Sequence, residues 1–555
     1  MNPRAAPALD EAPGLRDRRA DLLALLIALA GFVVAVVLGL LSDGVYHDDD
    51  ACHYFYARDA WTDVHAMLHW WARPGYNIPT MFVARWFGFD GCRIFSAAQT
   101  AFVAWLAYAI GRRVGLEARW ALVAPALVWL QPVTMALAMT TLTETPAAVY
   151  LTLAVWLYLR GNRIWACVAI SPLFTTRIET LALAPLFAGA LIVDALRESK
   201  CRPARALRAG WLWACAGAMI WAPVAWCVAS AVTRVPPEHS PLHVLTRNHT
   251  DQYGTGPAYF YLMRWAQCIS LGQLAAVVAG AASVPRRGRL VAALAVGLVV
   301  LHGALFYFGL FATGGYARFL VPGAGLFAVL GALGLRSLWN GRRIATIPAL
   351  AAIPGVFMLV AHTYGFLFTS RPQRMMALSW CLAAAMAPLL AAAVVARDRR
   401  WLVRLGRAAA VIAALFVAAQ AASQIRPLYI AGNVDPTHRL ALKSVRLIAG
   451  EPFNRRDVLT QHVMVQLLRH QAGRETTIPA SDEHAAAAWR NAEPGTLFVW
   501  ESKYCPQEKA ESEPTLRDLL RERGRRLAAF EEAGARAEVY VREPDRTAPT
   551  SEPGR

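Results

Sequence analysis

Charge is scarce in this chain. Only 17% of its 555 residues are Asp, Glu, Lys or Arg, 56% are hydrophobic, and the mean hydropathy is +0.35. That balance excludes an ordinary soluble multidomain enzyme. Acids are the scarcer sign, 38 against 56 basic residues, for a formal net charge of +18. The nine cysteines are scattered, with no Cys-x-x-Cys and no Cys/His spacing of the kind that holds zinc. No internal repeat of the kind common in transporters is present. The tail beyond Arg426 has no nucleophile elbow, phosphate loop or metal cluster.

What the chain does have is apolar length. Stretches near the roughly 20 residues needed to cross a bilayer recur from Leu22 to about Ala422. In lipid every backbone polar group must be satisfied internally, so these stretches are expected to be helices. They fall at 22–41, 93–111, 119–141, 143–159, 164–176, 178–196, 209–232, 258–283, 290–311, 319–336, 344–368, 375–396 and 408–425. The pair 164–196 reads as a short hairpin turning near Arg177, because basic clusters flank it on both sides. The expected fold class is an all-α polytopic membrane protein of about thirteen spans with a small C-terminal α/β domain.

Basic clusters occur at every second loop: Arg16–Arg19, Arg112–Arg113, Arg160–Arg163, Arg197–Arg208, Arg286–Arg289, Arg342–Arg343 and Arg397–Arg407. This is the positive-inside pattern. It predicts a multi-pass protein of the inner (plasma) membrane, with residues 1–21 as a cytoplasmic tail and a transmembrane domain over 22–425. A periplasmic domain over 426–542 and a disordered tail over 543–555 complete the expected order. Parcelled among short loops, the positive charge argues against a nucleic-acid partner. The first apolar run is too long for the 7–15 or so residues of a signal-peptide core and has no small-x-small site before Ser42, so it is read as the first span. Cys52 and Cys92 both fall on the outer side, where a disulfide between them is allowed. In the tail, 436–449 and 515–523 read as helices, and 496–500 and 537–541 as strands.

The chemistry concentrates in the first outer loop, 42–92. Asp48, Asp49 and Asp50 follow the first span directly. Adjacent like charges raise at least one carboxyl pKa, which suits a general base or a metal ligand. Consecutive residues of an extended segment point to alternate sides, so three in a row seldom converge on one ion; no metal and no other cofactor is expected. The loop is rich in aromatics, as interfacial helices lying on the membrane are. Such helices are expected to bring Asp49 and Arg73 together at headgroup depth. Arg73 precedes Pro74, which biases it towards extended geometry, and its guanidinium is suited to a phosphate.

These residues carry a resemblance. Asp49-Asp50-x-x-His53-x-x-x-Ala57-Arg58 is similar to the Asp-Glu-x-x-Tyr-x-x-x-Ala-Arg segment of the GT-C membrane glycosyltransferases, with Asp50 and His53 replacing the usual Glu and Tyr. Arg73-Pro74-Gly75-Tyr76 resembles that superfamily's basic-Pro-Pro-hydrophobic segment. Thr143-Glu144-Thr145-Pro146, Arg177-Ile178-Glu179 and Arg318-Phe319-Leu320-Val321-Pro322 resemble its acidic-x-Pro, Arg-x-Glu and Arg-Tyr-Leu-x-Pro motifs, in the same order. The likeness is to protein O-mannosyltransferases and to the bacterial aminoarabinose transferases that modify lipid A, glycosyltransferase families 39 and 83. It implies an inverting transferase that takes a polyprenyl-phosphate-linked sugar to a hydroxyl of a lipid, glycan or protein acceptor on the periplasmic side. Asp49 would be the base, with Asp48 the alternative alignment and Asp50 beside it. Arg73, with Arg318, would hold the donor phosphate; Tyr76, Glu144, Arg177 and Glu179 would line the substrate site. A multi-pass transporter or flippase of a lipid-linked or polar substrate is the rival class.

Overall fold

A computed structural model describes residues 15–42, 48–240, 254–310, 314–367, 387–395, 399–429, 436–478, 482–502 and 515–544. His47, the Asn-x-Thr triplet Asn248-His249-Thr250, His243, Asp251, Tyr253, the His362 side chain, Cys505 and the extreme C-terminus lie outside the described residues. The chain divides into two compact units, Met1–Leu40 with His53–Pro427, and Leu41–Cys52 with Leu428–Arg555.

The first unit is built of helices: α1 (Leu15–Leu40), α2 (Asp48–Asp59, entering from the second unit), α3 (Pro74–Arg113), α4 (Glu144–Leu159), α5 (Arg163–Thr176), α6 (Ala184–Glu198), α7 (Gly210–Val232), α8 (Phe260–Ile269), α9 (Leu271–Ala282), α10 (Arg289–Tyr307), α11 (Ala324–Trp339), α12 (Arg343–Leu367) and α13 (Arg399–Tyr429). Short 3-10 turns, Ile178–Leu183 and Ala317–Gly323, lead into α6 and α11. The stretch 164–196 breaks at Arg177, between α5 and the turn that leads into α6. Among the described residues seven helices are long and apolar enough to cross a membrane, or eight if the bent pair α8–α9 is one span.

Two of the expected stretches are interrupted by proline or by strained backbone. The stretch 119–141 forms three short helices, Ala118–Ala121, Val123–Trp129 and Pro132–Leu137. Pro125 and Pro132 cannot donate back to the carbonyls of Ala121 and Val128. The stretch 258–283 bends by 109° at Ser270, whose φ is 77° and whose hydroxyl accepts from the Gln273 N–H to cap α9. Of 375–396 only 387–395 is described, and it is helical.

The first outer loop also differs from expectation. Its second half is not loop, because α3 runs 40 residues from Pro74, kinked at Gly88 (φ 64°, ψ −160°), and so fuses 74–92 to the span at 93–111. Proline is pre-organised for a first helical position. The three aspartates are not extended either: they form the first turn of α2, where carboxylates favour the helix dipole. Side chains about 100° apart around a helix converge on one ion no better than those of a strand. Cys52 and Cys92 both carry thiols, so the disulfide that their position allowed is not formed.

α11 is the centre of this unit, with Leu326 to Leu330 fully buried. Its Gly334 lies against α9, where a Cβ would sit 1.8 Å from the Ala276 carbonyl; small residues permit that approach. α1 and α7 instead leave Leu26, Val33, Val228 and Val232 exposed, as suits surfaces solvated by lipid.

The second unit is a four-stranded sheet of order β1-β2-β4-β3: β1 (Val458–Thr460), β2 (Leu497–Glu501), β3 (Gly524–Glu532) and β4 (Ala535–Arg542). β1 pairs parallel to β2, and the other pairs are antiparallel. Helices α14 (Pro436–Ala449), α15 (Val463–Gln471), α16 (Asp482–Arg490) and α17 (Leu516–Arg523) accompany it. The apolar run of β2 is buried along its whole length, as a strand covered on both faces is. On β4, Glu538 is fully buried and accepts two bonds from Arg517 (2.8 and 3.0 Å), with Arg526 at 3.2 Å, Arg536 at 2.7 Å and the Tyr540 hydroxyl at 2.5 Å.

Burial alone would raise the Glu538 carboxyl, but Arg517, Tyr540 and Arg536 override it and hold it at about 2, below the ~4.3 of a free glutamate. Its contribution to stability is therefore complete above about pH 4.3 and is lost as pH falls through about 2. Glu538→Gln leaves Arg517 facing an uncharged amide and should cost about 3 kcal/mol. Thermal melting across that acid range checks both points: the native protein should lose stability steeply, and the variant should start lower and fall less.

Candidate active site

Five of the sequence-selected residues meet in the first unit where helices begin, end or break. Glu144 opens α4, Arg177 follows the last residue of α5, Glu179 lies in the next 3-10 turn, and Arg318 lies in the turn before α11. Arg73 stands immediately before α3. All four of the first group are buried. Arg177 Nη1 donates to Glu144 Oε1 at 3.1 Å, and its Nη2 pairs with Glu179. Arg318 Nε lies 3.5 Å from the same Glu144 oxygen. The result is a chain of alternating charge, Glu179–Arg177–Glu144–Arg318, closed off by aromatics: Arg177 lies 4.2 Å over the Phe319 ring, and Arg318 lies 5.1 Å over Tyr316. Buried Glu144 Oε2 has no hydrogen-bond partner among the described residues.

Arg73 is the outlier of the group. Its φ of 63° with ψ 96° is not the extended geometry expected before a proline, and its φ lies in a region that side chains avoid. Its Nη1 donates to Thr143 Oγ1 at 3.1 Å and to the Thr176 carbonyl at 3.3 Å. Among the described residues it pairs with no carboxylate. Burial, then the neighbouring Arg177, pull this guanidinium down to about 10, against the opposing pull of Glu179 and Glu144. Gly75 lets α3 start here. A Cβ would meet Thr176 Oγ1 at 2.2 Å and the Pro172 carbonyl at 2.5 Å, and the Gly75 carbonyl accepts from the Tyr150 hydroxyl at 2.8 Å. Tyr76 is buried with its ring edge-on to His53, 5.4 Å away, and His53 stacks on Trp71 at 4.3 Å.

The three aspartates sit on α2 within the second unit. Asp48 is buried and bonded to His438 Nε2 of α14, Asp50 is fully buried, and Asp49 is half-buried. Burial, then the carboxylates of Asp49 and Asp48, push the Cys52 thiol up to about 12. Sequence reasoning passed over His302, fully buried on α10 and stacked between Tyr261 (5.4 Å) and Phe319 (5.7 Å). An ionisable residue inside an apolar span was the signal that could have found it. It also passed over Thr176 and His438, for which no pattern in the sequence exists, and gave Thr143 of the Thr-Glu-Thr-Pro motif no role.

The four helices that reach this cluster share one arrangement. α3 runs from Arg73 to Arg113, α4 from Glu144 to Arg160, α5 from Arg163 back to Thr176, and the segment from Glu179 through α6 ends near Arg197. Each has the cluster at one end and a basic group at the other. The 16 residues of α4 separate those ends by ~24 Å at ~1.5 Å per residue.

A helical unit of broken spans, followed by a small C-terminal α/β unit, is a fold that this chain shares with solved structures. Among the solved structures that this chain matches are two of ArnT from Cupriavidus metallidurans. One, bound to undecaprenyl phosphate, aligns at 14% identity with a TM-score of 0.57, covering 94% of this chain and 97% of that one. The other, in the apo state, aligns at 13% identity with a TM-score of 0.58, covering 95% and 98%. No protein-family model and no curated protein matches the sequence.

Two substitutions test the cluster. Glu144→Gln leaves Arg177 and Arg318 buried without the charge they share, and should destabilise the first unit by about 3–5 kcal/mol. Gly75→Ala drives a methyl into the Pro172 carbonyl and should lower the thermal midpoint, where Ala in an open helical position would raise it. Melting of the purified protein in detergent reads both.

Proposed function

We propose that this chain transfers a sugar from a polyprenyl-phosphate carrier to an acceptor hydroxyl at the periplasmic face of the inner membrane. The observation that carries this reading is the charge of the buried cluster. Three guanidiniums, half-buried Arg73 with buried Arg177 and Arg318, face two buried carboxylates, Glu144 and Glu179, and among the described residues Arg73 pairs with no acid. A cation withdrawn from water, even in part, is expensive unless an anion meets it. A lipid phosphate supplies that anion at this depth, and a guanidinium suits its oxygens. ArnT, crystallised with undecaprenyl phosphate, has the same fold.

In the reaction, the acceptor oxygen attacks the anomeric carbon as its proton passes to Asp49. The bond from that carbon to the phosphate oxygen breaks, and the polyprenyl phosphate leaves with the electron pair, so the anomeric centre inverts. Arg73, with Arg318, stabilises the charge that grows on the departing phosphate. Glu144 Oε2 orients a hydroxyl of sugar or acceptor, Arg177 and Glu179 hold Glu144 in place, and Tyr76 lines the approach. The resemblance points to Asp49 as the base, with Asp48, which His438 engages, as the alternative and Asp50 fully buried beside them. The chemistry needs no metal or other cofactor. The basic groups at the opposite helix ends face the cytoplasm, with the N-terminus on that side and the C-terminal unit in the periplasm.

Asp49→Asn keeps the shape and removes the base, so turnover should fall about 100-fold or more while donor binding survives. Asp48→Asn should be milder, and Arg73→Gln should weaken donor binding as well as turnover. A dead Asp48→Asn beside a fully active Asp49→Asn would move the base by one residue, and full activity of both would end the proposal. Activity should persist in excess EDTA; loss restored by magnesium or manganese would recast Asp49 as a ligand. An Asp49→Cys variant should label with a membrane-impermeant thiol reagent added from the periplasmic side.

A further inference from the structure

At the ends of α3, α4, α6 and α10 away from the charged cluster, the first unit contains a cleft of about 600 Å³. That volume is in the range of small-molecule sites. Two kinds of surface line it. Leu186, Gly189, Ala190 and Val193 of α6 face Leu290 and Ala293 of α10 and form an apolar gap. Leu186 and Val193 are exposed, so the gap opens sideways onto the lipid-facing surface. Gly189 has nothing within 4 Å of where a Cβ would point, so it leaves the space open.

The rim of the cleft is basic. Arg113 comes from the end of α3, Arg160 from the end of α4, and Arg286, Arg287 and Arg289 from the start of α10. None of these five forms an ion pair among the described residues. Arg163 and Arg197 also line the cleft, and the acid in it, Asp194, is already shared between them and the Tyr158 hydroxyl. Arg160 and Arg163 rest on the rings of Trp156 and Trp211, at 4.7 and 4.4 Å, which holds their guanidiniums at interfacial depth. The start of α10 adds the positive end of its helix dipole to the same rim.

We propose that this cleft binds an anionic phospholipid of the surrounding bilayer, its phosphate headgroup on the arginine rim and an acyl chain in the gap between α6 and α10. Basic pockets between spanning helices on the cytoplasmic side bind anionic headgroups in this way. The apolar gap selects a lipid over a free anion, and the unpaired arginines select an anionic lipid over a zwitterionic one. The site lies at the far helix ends from the transfer chemistry and is independent of the transferase reading.

The test uses the full-length protein in nanodiscs of phosphatidylcholine, with and without phosphatidylglycerol. The readouts are the thermal midpoint and the phosphatidylglycerol that stays bound, measured by mass spectrometry. Phosphatidylglycerol should raise the midpoint of the native protein. R286Q/R287Q/R289Q should lose that rise, with affinity down about 100-fold. Gly189→Leu keeps every charge and fills the gap. It should lose the rise too, while its midpoint in phosphatidylcholine stays at the native value. Native-like phosphatidylglycerol binding by either variant overturns the proposal. So does an equal rise from millimolar inorganic phosphate in phosphatidylcholine discs, which would make the cleft a free-anion site.

Discussion

A guanidinium cannot rest inside a bundle of apolar helices unless carboxylates meet it, and Arg177 is the point on which this unit turns. Its two neighbours, Glu144 and Glu179, come from the start of α4 and from the turn after α5, so both segments must converge to satisfy it. Arg318 joins through the same Glu144 oxygen and ties in the turn before α11, the most buried helix of the unit. Taking any one of these charges away strands the others. The cost of that, several kcal/mol, is a large share of a protein's total stability.

The same constraint explains where the backbone is irregular. Non-helical segments at membrane depth survive only where protein buries them and supplies their hydrogen bonds. The 3-10 turns at 178–183 and 317–323, the extended backbone of Arg177 and the strained φ of Arg73 all gather at the cluster. Arg73 is held there by Thr143, by the Thr176 carbonyl and by the close fit of Gly75 against Pro172. Strain concentrated beside an unpaired cation is the condition of a site built for an anionic ligand. The net charge of +18 has a second destination at the opposite ends of the same helices. There the arginines of α3, α4 and α10 outnumber the acids and form a rim beside an opening towards lipid.

How far residues could be read in isolation depended on what decides each element. The spans at 143–159, 164–176 and 209–232 were legible because uninterrupted apolar length is a local property. The stretch 119–141 was equally apolar, yet Pro125 and Pro132 divide it. In 74–92 the aromatics pointed to an interfacial helix, but not to its joining the next span across a kink at Gly88. Asp48–Asp50 looked like an extended acidic run, and only the helix they open reveals them as its first turn. In the second unit α14 and the cores of β2 and β4 showed their periodicity. β1 has three residues and no residue of β3 is buried, so neither could be read without its partners.

The amino-acid sequence by itself determined that the chain is a helical membrane protein, how its basic loops alternate, and which charged residues stand out against the apolar background. Those follow from composition and local pattern, since transfer into lipid depends on the residues of one segment at a time. Tertiary structure alone decided which charges meet. Glu144, Arg177 and Arg318 are separated by up to 174 residues in the chain, yet they share one carboxylate oxygen. Asp48 likewise meets His438, 390 residues along the chain. Pairing of buried charge is a property of the packed interior, where desolvation makes every partner matter, and no single segment carries it.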